Sequence, residues 1–139
     1  MVNSRNKGSG YERDVRTRLE LELGLKFERV LDQWREPELP DLVCEDDAFP
    51  FVIECKRYKK GSTFAKPSHW DQVVAAANKA EKIPALVYKF DRLPERWRIP
   101  LDTITMIESG KAGEYDWNYC VEMEFREFCL VCRELIAAT

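Results

Sequence analysis

Phe51-Val52-Ile53-Glu54-Cys55-Lys56 decides the fold. Its first three residues are apolar without alternation, so it reads as a central strand covered on both faces. Its last residues become charged, so the strand must end in something polar. Side chains alternate across a strand, which sets Glu54 and Lys56 on one face and Cys55 on the other. Upstream, Asp46–Pro50 reads as a turn and Leu42-Val43-Cys44 as a short strand. The two strands are therefore expected to be antiparallel neighbours. Pro40-Asp41 opens the earlier one, so Asp41 is expected beside Glu54 and Lys56 at one end of a buried strand.

Further upstream, Ser9-Gly10-Tyr11-Glu12 reads as a capping box, with Ser9 as cap and Glu12 three residues on. A helix should follow, with Tyr11, Val15, Leu19 and Leu23 on its apolar face and Gly24 at its end. Phe27–Leu31 reads as a strand and Gln33–Pro40 as a polar loop. Downstream, Arg57–Pro67 reads as a basic loop. Ser68 is expected to cap a second helix running to about Lys82, with Asp71 in its first turn. Trp70, Val73, Val74, Ala77 and Ala80 would be its buried side. Pro84 would follow the helix stop. Ala85–Phe90 is expected to be a strand, Thr103–Ile107 another, and about 119–137 a last helix. This order gives an α/β domain with a central mixed β-sheet flanked by helices. Residues 1–8 read as a flexible basic arm and 9–139 as a single domain.

The chain has 139 residues, enough for one compact core. No apolar run approaches the roughly 20 residues of a membrane span. Met1–Arg5 lacks the apolar segment of a secretory signal, so a cytoplasmic protein is expected. The cysteine count of five is odd, which favours reduced thiols. Cys129 and Cys132 have C-x-x-C spacing but fall on the apolar stripe of the last helix, so they are expected in the core. The net charge of −3 hides an asymmetry: residues 1–100 sum to +2 and residues 101–139 to −5. Arg5, Lys7, Arg13, Arg16 and Arg18 lie near the start. Lys56, Arg57, Lys59, Lys60 and Lys66 form a run without an acid. Such local stripes hold phosphate backbones despite a negative total.

Two carboxylates at one buried strand end resist joint ionisation, and a divalent cation between them removes that cost. Oxygen donors suit Mg²⁺ or Mn²⁺. Phosphodiester hydrolysis needs an activated water and charge relief, which a bound metal and Lys56 would supply.

In order along residues 5–100 stand Arg5-x-Lys7-Gly8-x-x-Tyr11-Glu12-Arg13, Pro40-Asp41-Leu42-Val43, Ile53-Glu54-Cys55-Lys56, Trp70-x-Gln72 and Pro84-Ala85-Leu86-Val87-Tyr88-Lys89-Phe90. This set resembles the PD-(D/E)XK nuclease superfamily, and within it the archaeal-type Holliday junction resolvases and their phage relatives. The resemblance implies a restriction-endonuclease-like core and Mg²⁺-dependent endonuclease activity on DNA, with four-way junctions resolved by paired nicks. It implies that Glu12, Asp41 and Glu54 hold the metal with the Cys55 carbonyl, that Lys56 is the catalytic lysine, and that Gln72 flanks the site. Arg5 and Lys7 would grip DNA, and Arg13, Arg57, Lys59, Lys60, Lys66 and Lys89 are counted with them. For a phage-encoded chain the compartment would be the host cytoplasm.

Two stretches depart from the pattern. Asp32-Gln33-Trp34-Arg35-Glu36 stands where resolvases often carry a serine-containing stretch, and residues 108–139 match nothing. Resolving a two-fold junction takes two sites, so a homodimer is expected. Phe125 and Phe128 mark a helical stripe that would serve either that interface or the chain's own core. Trp34 and Trp70 would stack on bases or fill the core. The rival readings are a nuclease of the same superfamily with a restriction-like, nicking or flap substrate, and a non-catalytic DNA-binding module.

Overall fold

The computed structural model describes residues 4–31, 39–58, 66–109 and 115–139. Within them the chain runs α1 (Ser4–Leu23), β1 (Phe27–Arg29), β2 (Leu42–Cys44), β3 (Phe51–Tyr58), α2 (Pro67–Ala80) and β4 (Ile83–Phe90). It continues through β5 (Arg96–Pro100), α3 (Asp102–Ser109), a short 3-10 turn (Trp117–Tyr119), β6 (Cys120–Met123) and α4 (Phe125–Ala137). The strands form one six-stranded sheet in chain order. β3 and β4 are parallel, joined by the crossover through α2, and the other neighbouring pairs are antiparallel.

Strand alternation sorts β3 between two cores. Phe51, Ile53 and Cys55 pack with Tyr11, Val15 and Leu19 of α1 and Phe128, Cys132 and Leu135 of α4. Val52 and Tyr58 pack on the other face with Trp70, Val73, Ala76 and Ala77 of α2. Both faces of β3 are therefore covered, as its apolar start requires. Trp70 is fully buried and donates its indole N–H to the Tyr115 carbonyl at 3.0 Å, so it fills the core. All five cysteines are free thiols, and Cys129 and Cys132 are buried on α4.

Several boundaries differ from the sequence reading. α1 begins at Ser4, so its helical backbone runs back through the stretch that composition assigns to an arm. Ser9 and Glu12 consequently stand inside the helix, and no capping box forms there. Gly24 does end it, with φ 69° and its N–H on the Glu20 carbonyl at 3.0 Å. α2 starts one residue earlier than a Ser68 cap predicts: Lys66 is the cap and Pro67 takes the first helical position, where its missing N–H costs nothing. Asp71 therefore falls outside the first turn, and Ala80 is exposed rather than buried. Pro84 lies within β4, opposite Val52.

Residues 103–107, β-branched and apolar, form part of α3 rather than a strand. β5 was hidden by its arginines, although Trp97 and Ile99 alternate into the core. Cys120–Met123 pairs with β5 as strand β6, so the last helix starts at Phe125. Phe128 is fully buried and stacks on Trp97 with ring centroids 4.2 Å apart. The buried side of the α4 stripe thus packs on its own domain. The expected loop at 33–40 and Trp34 lie outside the described residues, apart from Leu39 and Pro40, neither of which is in a helix or strand. Among the described residues, no helix is long and apolar enough to cross a membrane.

Candidate active site

Asp41 stands directly before β2. Its N–H still donates to the Ile53 carbonyl of β3 at 3.0 Å. Its side chain then takes the next donor, and the Cys55 N–H gives a 2.8 Å bond to Asp41 Oδ2. A carboxylate has replaced a main-chain acceptor in the ladder, so β2 and β3 part at this point. A strand residue sends its N–H and C=O towards the same neighbour. The Cys55 carbonyl therefore faces the same gap.

Glu12 of α1 and Glu54 of β3 both hydrogen-bond to Asp41. Asp41 and Glu54 are 6% and 5% exposed, so the cluster is nearly dry. Burial pushes the Glu54 carboxyl well above its ordinary range, the Asp41 charge adds to this, and Lys56 partly offsets it. Burial likewise raises Glu12, again with Asp41 reinforcing and Arg29 opposing. Lys56 Nζ lies 3.3 Å from Glu54 Oε1, and Arg29 Nη2 lies 3.0 Å from Glu12 Oε2. The outer acids are thus held by cations, with Asp41 between them. Among the described residues, no three His, Cys, Asp or Glu side chains converge as a ready-made metal group. The chemistry of the donors nevertheless fits a hard divalent cation: the buried carboxyls of Asp41 and Glu54 and the partly buried Glu12, with a carbonyl at the same gap.

Arg29 escaped the sequence reading. The alternation Phe27-Glu28-Arg29 held the signal, because it puts Arg29 on the inward side with buried Phe27. Glu95 was missed as well. It accepts bonds from Tyr11 Oη at 2.7 Å, from Arg18 Nη1 and Nη2 at 2.9 and 2.6 Å, and from Trp97 Nε1 at 2.8 Å. These bonds tie α1 to β5 one residue away from Glu12.

The expected DNA-contacting residues are scattered. Arg13 is exposed on α1, and Lys66 is exposed at the cap of α2. Arg57 is committed to Asp91 at 2.6 Å and to the Lys89 carbonyl at 3.0 Å, so it ties β3 to the end of β4. Lys89 is half-buried, and Gln72 is exposed on α2. Lys59, Lys60 and the side chains of Arg5 and Lys7 lie outside the described residues.

A mixed sheet between α1/α4 and α2, with this pairing of strands, is a restriction-endonuclease-like fold. The chain belongs to the family described as "Phage putative PDDEXK endonuclease", whose profile matches residues 3–135. Nucleases of the PD-(D/E)XK class generally use a divalent metal, and their substrate is DNA. In fold the chain is similar to Hjc, a Holliday junction resolvase of the archaeal hyperthermophile Archaeoglobus fulgidus, with a TM-score of 0.53 and 19% identity. That likeness covers 92% of this chain and 96% of Hjc. A sequence comparison with curated proteins finds no match.

Proposed function

We propose that this chain is a Mg²⁺-dependent endodeoxyribonuclease that resolves four-way DNA junctions as a homodimer. The observation that carries the catalytic part is Asp41, bonded to both Glu12 and Glu54 where β2 and β3 part, with Lys56 on Glu54. Structural acids have little reason to be gathered dry and mutually repelling. The likeness in fold to a resolvase supports the choice of substrate.

Glu12, Asp41 and Glu54 hold the cation, Mg²⁺ with Mn²⁺ as substitute, together with the Cys55 carbonyl. When bound, it supplies Lewis acidity to the phosphate and lowers the pKa of its water. Asp41 is fixed by the Cys55 N–H, so its second oxygen is oriented without cost at each turnover. Arg29 fixes the Glu12 carboxylate in the same way. Lys56 Nζ, on the more open side of Glu54, orients the attacking water and offsets charge growing on the phosphate oxygens. Arg13 and Lys66, with the arm and the run at 56–66, hold the flanking backbone.

A substrate panel tests this. Four-way junction, linear duplex, single strand and flap are incubated with Mg²⁺ and with a chelator. Symmetric nicks on the junction are expected, with little cutting of linear duplex. Equal cutting of both would leave the chemistry and replace the substrate with a restriction-like, nicking or flap target. Tight DNA binding without cutting of any substrate would favour the non-catalytic module.

A further inference from the structure

His69, the sole histidine of the chain, lies in the first turn of α2, against Tyr58 at the end of β3. Tyr58 shares its strand face with Glu54 and Lys56. Its ring stacks on the imidazole with centroids 5.4 Å apart and planes 17° apart. Its hydroxyl lies 2.7 Å from His69 Nδ1 and accepts the Lys66 N–H at 3.3 Å. Among the described residues, the hydroxyl proton has no other acceptor. With that proton given to Nδ1, the imidazole carries its own proton on Nε2.

Nothing among the described residues accepts from Nε2, and the ring is half exposed. Partial burial and the nearby charges of Lys56 and Lys66 lower the histidine below its ordinary value, so it is neutral near pH 7. Tyr58 is itself held by Phe90 and Tyr88, at centroid distances of 4.6 and 5.8 Å. A neutral imidazole thus stands against Tyr58 at the end of β3, on the sheet face that carries Glu54 and Lys56.

We propose that His69 Nε2–H donates to a phosphate oxygen of the bound DNA strand beside Lys56, and that Tyr58 is the positioning residue that fixes this tautomer. The inference rests on the nuclease reading for its substrate. A donor oriented by a buried hydroxyl, rather than by solvent, suits a ligand that brings acceptors and negative charge. Core packing alone would account for the ring stack and would be indifferent to the nitrogens.

Three variants of the full chain separate these roles. His69→Phe keeps a stacking ring and loses the donor, and should lower kcat/KM on its DNA substrate by about 10- to 100-fold with unchanged thermal stability. His69→Gln, which retains an N–H donor, should recover most of that loss. Tyr58→Phe should lose activity part-way and shift the imidazole nitrogen signals towards the other tautomer. Because the chain has one histidine, the Nε2–H signal can also be followed by NMR as duplex or junction DNA is added in a chelator. A shift of that signal on binding is expected. Parent-like cleavage by His69→Phe, or a signal that DNA leaves unmoved, would overturn the proposal. Failure of the parent chain to cut any DNA would count against the nuclease reading alone, and the imidazole response would still decide this one.

Discussion

Asp41 accepts the Cys55 N–H at 2.8 Å through its carboxylate, in the place where a main-chain carbonyl would continue the β2–β3 ladder. One side chain thereby ends the pairing, opens the gap and aims a carboxylate into it. Asp41→Asn keeps an acceptor for Cys55 and should fold normally. Glu54→Gln and Lys56→Ala should also fold. Each should lower metal-dependent cleavage by roughly 10²–10⁴-fold, the range for loss of a group acting at the reacting centre. Full activity of Glu54→Gln in a cleavage assay, or full activity of the parent in a chelator, would refute the assigned chemistry.

Glu12 is the sharper case, because a capping role predicts that Gln is tolerated. The helical backbone from Ser4 removes that role, and Arg29 and Asp41 take its place as partners. Glu12→Gln should therefore lose cleavage with little change in melting temperature. Arg29→Gln should weaken metal affinity by about 10- to 100-fold, as loss of a ligand-orienting partner does. Calorimetric titration with Mn²⁺ measures the second effect, and unchanged affinity would make Arg29 a purely structural partner.

Metal-free stability should fall as pH rises. Glu12 and Glu54 hold their protons to higher pH in the folded chain than in the unfolded one. Across that window the folded state binds more protons, so unfolding free energy decreases with pH. The penalty is absent below the ordinary carboxylate value of 4.5 and complete once pH passes the raised folded values. Glu54→Gln should flatten this dependence and melt higher than the parent at neutral pH in a chelator. Thermal melts with and without Mg²⁺ check it: the cation should stabilise the parent most at the alkaline end and the variant much less.

Glu95 should matter for stability and, through α1, for activity. Its carboxylate accepts from Tyr11, Arg18 and Trp97, and its removal leaves part-buried donors unmatched. Glu95→Ala should cost about 2–3 kcal/mol in urea unfolding. Cleavage should also drop under conditions where the variant is fully folded, since Tyr11 adjoins Glu12. A cost within about 0.5 kcal/mol, as for an ordinary surface substitution, would show the network to be idle.

DNA affinity should fall with salt at a log–log slope of about −0.9 for each phosphate neutralised on duplex. Lys59→Ala with Lys60→Ala should make the slope shallower by about 1 to 2. Arg57→Ala should change it little, because that guanidinium is engaged by Asp91. Fluorescence anisotropy across a salt series measures all three, and an identical slope for the lysine double variant would mark the run as a solvated face.

The sequence by itself determined the central strand, its neighbour and the meeting of Asp41 with Glu54 and Lys56. Those are local consequences of alternation: an apolar Phe51–Ile53 cannot face water, and a short turn at 46–50 admits one pairing. It also determined that a helix follows the central strand and leads into a further apolar strand at Ala85–Phe90, while their parallel pairing came from the structure. Tertiary structure alone decided the β5–β6 edge of the sheet, where Arg96 and Arg98 mask the alternation of Trp97 and Ile99. Residues 120–123 suit helix and strand equally until β5 offers them a partner. The same holds for Arg29 and Glu95. Each is an ordinary charged residue in its own segment, and its role appears only when packing brings α1, β1 and β5 together, since the energy of a buried charge depends on neighbours distant in sequence.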